Sequence, residues 1–92
     1  MAKKHLSVRK RERQNERRRM RNAMLRSAMR TAVKKVRLAV AQGDVEAAKA
    51  ALPEAIRMLW KAKSKGVIHR NHAARKTSRL TRQVRALAAA RA

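Results

Sequence analysis

The chain has 92 residues, with 27 Lys plus Arg against 5 Asp plus Glu and a formal net charge of +22. That length suits one small domain, and that charge opposes compaction and calls for a polyanionic partner, nucleic acid before an anionic membrane. Cysteine is absent, which excludes disulfides and thiolate metal sites. No apolar run approaches signal-peptide or membrane-span length, so a cytoplasmic location is expected.

Tyr and Phe are also absent, and Trp60 is the only aromatic residue. Proteins that hold single strands usually stack bases on several rings. This composition points instead to phosphate contacts and to the shape of a structured nucleic acid.

Two glycines and one proline in the whole chain argue for an all-α fold. Ser7 is a candidate N-cap, and no breaker follows from Val8 to Ala41. Leu25, Met29, Ala32, Val33, Val36 and Val40 recur at three and four, so residues 23–41 can face a core. Residues 8–22 hold only Val8 and Met20 as apolar residues. Residues 1–22 therefore read as a basic arm that projects beyond the packed part. Alone, such a self-repelling segment is expected to fray; on a partner it should be helical. Glu12 and Glu16 are placed to pair with neighbouring arginines.

Gln42-Gly43-Asp44 reads as a turn, with Gly43 left-handed after the first helix and Asp44 capping the second. A connection this short makes antiparallel neighbours. The second helix, over 44–64, carries a stripe of Val45, Ala48, Leu52, Ile56 and Leu59. Pro53 lies inside it and removes the bond to the Lys49 carbonyl, which predicts a kink or a break near residues 50–53. Trp60 ends the stripe, and its size predicts a mostly buried ring at the core edge.

Lys61, Lys63 and Lys65 followed by Gly66 form a second stop. Val67 and Ile68 can plug the end of the core, and His69 or Asn71 can cap the third helix, over 70–90. Its apolar row is Ala73, Thr77, Leu80, Val84 and Leu87. Beside that row run Arg75, Lys76, Arg79, Arg82 and Arg85, with Arg75, Arg79 and Arg82 on one face. On the first helix Arg9, Arg13 and Arg17 step by four, with Lys10, Arg17 and Arg21 close to one side. Residues 1–35 hold 14 Lys/Arg and 2 acids, residues 36–60 hold 3 of each, and residues 61–92 hold 10 and none. A neutral packing centre thus separates two binding ends.

His69 and His72 have metal-like spacing but lack a third ligand. The scattered carboxylates form no acid/base pair, the serines have no nucleophile context, and no glycine loop cradles a phosphate. No enzyme, cofactor, metal or small-molecule substrate is expected. A solvated charged face is the ordinary meaning of a basic row, but at this density with so little acid, nucleic-acid contact is the stronger reading.

Three stretches carry a family resemblance over nearly the whole chain. They are Lys65-Gly66-Val67-Ile68-His69-Arg70-Asn71-His72-Ala73-Ala74-Arg75-Lys76-Thr77-Ser78-Arg79-Leu80; Ser7-Val8-Arg9-Lys10-Arg11-Glu12-Arg13-Gln14 with Arg17-Arg18 and Arg21-Asn22; and Arg30-Thr31-Ala32-Val33-Lys34-Lys35-Val36. With these the chain resembles the bacterial small-subunit ribosomal protein S-twenty family. The resemblance implies a three-helix bundle with a long, protruding N-terminal helix. It implies direct binding to small-subunit ribosomal RNA during assembly, at the 5′ domain and the long 3′-minor-domain helix. The RNA contacts it suggests are Arg9, Lys10, Arg11, Arg13, Arg17, Arg18, Arg21, Asn22, Arg30, Lys34, Lys35, Lys65, His69, Arg70, Asn71, Arg75, Lys76, Ser78, Arg79 and Arg82. Two rival readings remain: a generic basic nucleic-acid-compacting protein, and a membrane-active cationic helix, for which segment 8–22 lacks an apolar face.

Overall fold

A computed structural model describes residues 2–91, with side chains described for residues 8–91. Three helices follow in order: α1 over Ala2–Ala41, α2 over Val45–Ser64 and α3 over Arg70–Arg91. No strand occurs among the described residues. The molecule extends 71 × 21 × 14 Å. Its length comes from α1, whose 40 residues at about 1.5 Å each span roughly 60 Å.

Ser7 does not cap α1. The helix continues through it to Ala2, since Ala2-Lys3-Lys4-His5-Leu6 contains nothing that breaks a helix. Every described residue from Val8 to Arg21 is exposed, and burial begins at Asn22 and Leu25. Residues 8–21 of α1 therefore stand clear of the bundle.

Both helix stops follow one design. At Gly43 (φ 73°) the Asp44 N–H donates to the Ala39 carbonyl at 3.0 Å and the Gly43 N–H to the Val40 carbonyl at 3.1 Å. At Gly66 (φ 74°) the Val67 N–H donates to Ala62 at 2.9 Å and the Gly66 N–H to Lys63 at 3.0 Å. These are paired Schellman bonds, which satisfy carbonyls left open at a helix end and need a left-handed residue. Val67 lies over the buried Ala62 end of α2 and is itself buried. The next helices start at once. The Ala47 N–H donates to the Asp44 carboxylate at 3.1 Å, and the Asn71 N–H donates to His69 Nδ1 at 3.1 Å. Of the two candidate caps for α3, His69 is the one used.

The core is wholly apolar: no polar or charged residue is buried among the described residues. Met29, Ala32, Val33, Val36 and Ala39 come from α1, and Ala73, Leu80 and Val84 from α3. The contribution of α2 differs from the expected stripe. Its buried residues are Ala48, Ala55, Leu59 and Ala62. Leu52 and Ile56 are only half-buried. Steps of seven, four and three keep the observed row on one meridian, and Ile56 falls beside it. The buried alanines let the three helices approach closely, and Leu59, Leu80 and Val36 fill the space between them.

Two further expectations need correction. Trp60 is 39% exposed, because Leu59 occupies the seam and the next residue turns about 100° away from it. Of the kink or break expected near Pro53, the break does not occur: α2 is continuous from Val45 to Ser64. Pro53 and Lys49 are both exposed, so the carbonyl deprived of its donor lies on the solvent side, where water can satisfy it.

Leu80 is 1% exposed and Leu38 is 56% exposed. Leu80→Ala should therefore cost about 2–5 kcal/mol, read as a lowered midpoint in thermal unfolding, while Leu38→Ala should change little. A similar midpoint for both would contradict this burial pattern. Gly43→Ala and Gly66→Ala should each lose about 1–2 kcal/mol through the left-handed backbone. A Cβ at Gly43 would also meet the Arg91 guanidinium, the movable end of a long side chain, whereas Gly66 has open space. The two losses should thus be similar in chemical denaturation.

Candidate nucleic-acid interface

The cations divide into three surfaces. The first is the arm. Arg9, Lys10, Arg11, Arg13, Arg17, Arg18 and Arg21 are all exposed. Consecutive helical residues are about 100° apart, so Arg9, Arg13, Arg17, Arg18 and Arg19 together reach round most of the circumference. The arm is a cationic rod with no single basic face. Glu12 and Glu16 were expected to pair with arginines, but among the described residues the only ion pair is Arg57–Glu54, at 2.8 Å. On an exposed helix surrounded by like arginines, the entropy of fixing two side chains outweighs a weak Coulomb gain. At the exposed Arg57–Glu54 pair, the hydrogen bond from Arg57 holds the Glu54 carboxyl below its ordinary value.

The second surface is a cleft where α1 meets the start of α3. Arg26, Arg30, Lys34 and Arg37 descend from α1, and His72 and Lys76 face them from α3. Its apolar lining is Met29, Val33, Leu59 and Ile68. No carboxylate lines it. Burial, then the positive fields of Arg37 and Arg79, push the Lys76 amine below the ordinary lysine value. Asn22 lies one turn before Arg26 on the arm side. It is half-buried, and its Oδ1 has no hydrogen-bond partner among the described residues.

The third surface is the outer face of α3, where Arg75, Ser78, Arg79 and Arg82 are exposed. Lys65, His69, Arg70 and Asn71 are exposed at the α2–α3 corner. There His69 uses Nδ1 for the cap, which leaves Nε2 as the nitrogen for any outside contact.

Some candidates are brought together and one pair is separated. Arg30, Lys34 and Lys76 share the cleft. Lys35, though adjacent to Lys34, lines a different groove between α1 and α2 with Ala47, Ala51, Glu54 and Met58. Arg26 and Arg37 were not singled out from the sequence, and His72 drew notice only for its metal-like spacing from His69. Arg26, Arg30, Lys34 and Arg37 do step by four, four and three, a row that runs beside the core stripe, but its closure by His72 and Lys76 is a tertiary fact.

The Lys76 amine sets a pH dependence. Its folded value lies below the reference 10.5, so between the two the unfolded chain holds more protons than the folded one. Stability then rises with pH through that window. Thermal unfolding between neutral pH and the lysine range should show this rise, and Lys76→Gln should flatten it. An unchanged slope in Lys76→Gln would assign the rise to other groups.

Comparison with known proteins bears on the same residues. The family described as Ribosomal protein S20 matches residues 3–85. A protein named Small ribosomal subunit protein bS20 from Anaeromyxobacter sp. is 49% identical over 85 residues, 92% of this chain and 94% of the relative. Its namesake in Thioalkalivibrio sulfidiphilus is 52% identical over 81 residues, covering 88% of this chain and 94% of the relative. That of Saccharophagus degradans is 51% identical over 82 residues, 89% and 93% respectively. With a match that takes in the arm, both glycine turns and most of α3, this chain belongs to the ribosomal protein S20 family.

Proposed function

We propose that the chain is a structural, non-catalytic constituent of the small ribosomal subunit, in the cytoplasm, and that it binds small-subunit ribosomal RNA directly and stabilises its fold during assembly. Its membership of the S20 family supports the ribosomal role. Among the described residues, no helix is long and apolar enough to cross a membrane.

The observation that carries RNA binding is the separation of two cationic surfaces by a neutral centre. The arm leaves the bundle along α1, while the α3 face stays on the bundle body. A rod that is cationic all round and a face some distance from it cannot both lie on one flat stretch of backbone. The protein therefore clamps two RNA segments that are distant in sequence, the 5′ domain and the 3′-minor-domain helix. Arginine dominates both surfaces, and its planar fork grips phosphate oxygens bidentately. Binding rests on neutralised phosphates, which stabilise the complex and relieve the chain's self-repulsion together.

Hydroxyl-radical footprinting of small-subunit RNA tests the clamp. Arg75→Ala with Arg79→Ala and Arg82→Ala should weaken protection of one RNA segment. Arg13→Ala with Arg17→Ala and Arg21→Ala should weaken another and leave the unfolding midpoint unchanged, since all three residues are exposed. The affinity of the unaltered chain should fall with a log–log salt slope of roughly 0.7–0.9 per phosphate contacted. Loss of the same nucleotides in both triple variants would mean one binding surface and no clamp.

A further inference from the structure

The cleft between α1 and α3 differs in kind from the other two cationic surfaces. The hollow on the arm among Lys10, Arg13, Gln14 and Arg17 has no apolar residue in its lining. The cleft is concave, encloses about 520 Å³ and combines a cationic rim with an apolar floor. We propose that it receives one unpaired nucleotide of the small-subunit RNA, base inward and phosphates on the rim. This rests on the RNA-binding reading above and adds to it the class of RNA element the cleft selects.

The volume admits a nucleotide, and the floor and the charge narrow the occupant. Clefts of about 300–1,000 Å³ suit a molecule of nucleotide scale. A duplex presents sugars and phosphates to a protein and keeps its bases stacked inside. It would satisfy Arg26, Arg30 and Lys34 at the rim but leave the half-buried Ile68, and the small edges that the core residues Met29 and Val33 show to the cleft, facing trapped water. A splayed-out nucleotide answers both demands, because its base has two apolar faces and its flanking phosphates carry charge. With no Phe or Tyr in the chain, and Trp60 outside this cleft, the base is held mainly by aliphatic and thioether contact, and the His72 imidazole is the one aromatic ring in the lining. His72, which lines the wall, supplies a hydrogen-bonding group for a base edge. Lys76 contributes an amine held in partial burial beside Arg37 and Arg79, and an entering phosphate would offset the repulsion among these cations. The lining contains no acid, so nothing in it opposes a polyanion. The groove on the other side of α1 lacks this character: Lys35 is offset there by Glu54, and alanines dominate its walls.

The absence of cysteine makes the test direct. His72→Cys introduces a single attachment point for a photo-crosslinker, used in particles reconstituted from small-subunit RNA and the other subunit proteins. The cross-link should map to one unpaired nucleotide, and the unaltered protein should protect that base from base-specific chemical modification. Arg30→Ala with Lys34→Ala changes two exposed residues. It should abolish that base protection and weaken binding about tenfold or more, while ribose protections along the arm and the α3 face persist. A cross-link to paired nucleotides, a cross-link to another protein, or a base protection that survives in the double variant would each overturn the proposal. Absence of every ribose protection with the unaltered protein would instead overturn the RNA-binding reading itself.

Discussion

The structure depends first on a shortage of carboxylates. Twenty-seven cations share five acids, and among the described residues only Glu54 and Arg57 pair. Internal neutralisation is therefore unavailable, and a buried unpaired cation would cost far more than a domain of this size can supply. Every cation must reach water, and the core must be built from apolar groups alone. The observed core meets that condition without exception. The same shortage spreads the charge over exposed surfaces, where an external polyanion can reach it.

A core under that constraint cannot be large. Alanine is its commonest residue, and Leu59, Leu80 and Val36 are its largest fully buried side chains. Burying each of these three stabilises the fold by about 1.5–3 kcal/mol. Close helix approach then matters more than side-chain bulk, and close approach needs helices that end at defined places. The two Schellman turns provide this. Each stops a helix within one residue, and each is followed by a cap that starts the next: Asp44 within one residue and His69 within three. Gly43 and Gly66 are thus part of the packing, because they set where the alanine rows of α1, α2 and α3 face one another.

Features governed by local chemistry were legible in the sequence. Glycine after a run of helix formers, an Asp cap and lysines in a last turn act within a few residues, so the turns, the helix count and the projecting arm follow from reading along the chain. Features set by tertiary geometry were less so. A search for large apolar residues favoured Ile56 and Trp60 over Ala55 and Ala62, because it weighs hydrophobicity and not the closeness that a small residue permits. Ser7 resembled a cap only because the charged residues before it were not credited as helix formers. Lys34 and Lys35 look equivalent in sequence, but 100° of rotation sends them to different grooves. The cleft needed α3 to be laid against α1 before Arg26, Arg37 and His72 could be recognised as neighbours.

The arm then poses an energetic question of its own. Its residues 8–21 are exposed and gain nothing from tertiary burial, and the intrinsic preference of Arg, Lys, Gln and Glu for helix is worth only tenths of a kcal/mol each. Repulsion among closely spaced cations opposes even that, and salt at physiological ionic strength largely screens only the pairs more than about 8 Å apart. What favours the helix is continuity with the packed half of α1. The costly nucleus already exists at Leu25–Ala41, so the arm has only to propagate from it. Phosphates along the arm reverse the sign of the remaining term, since each one contacted removes repulsion between neighbouring arginines as well as adding attraction. On the proposed RNA-binding role, order in the arm and binding by the arm would be the same equilibrium, with the bundle holding one end of the arm helical beforehand.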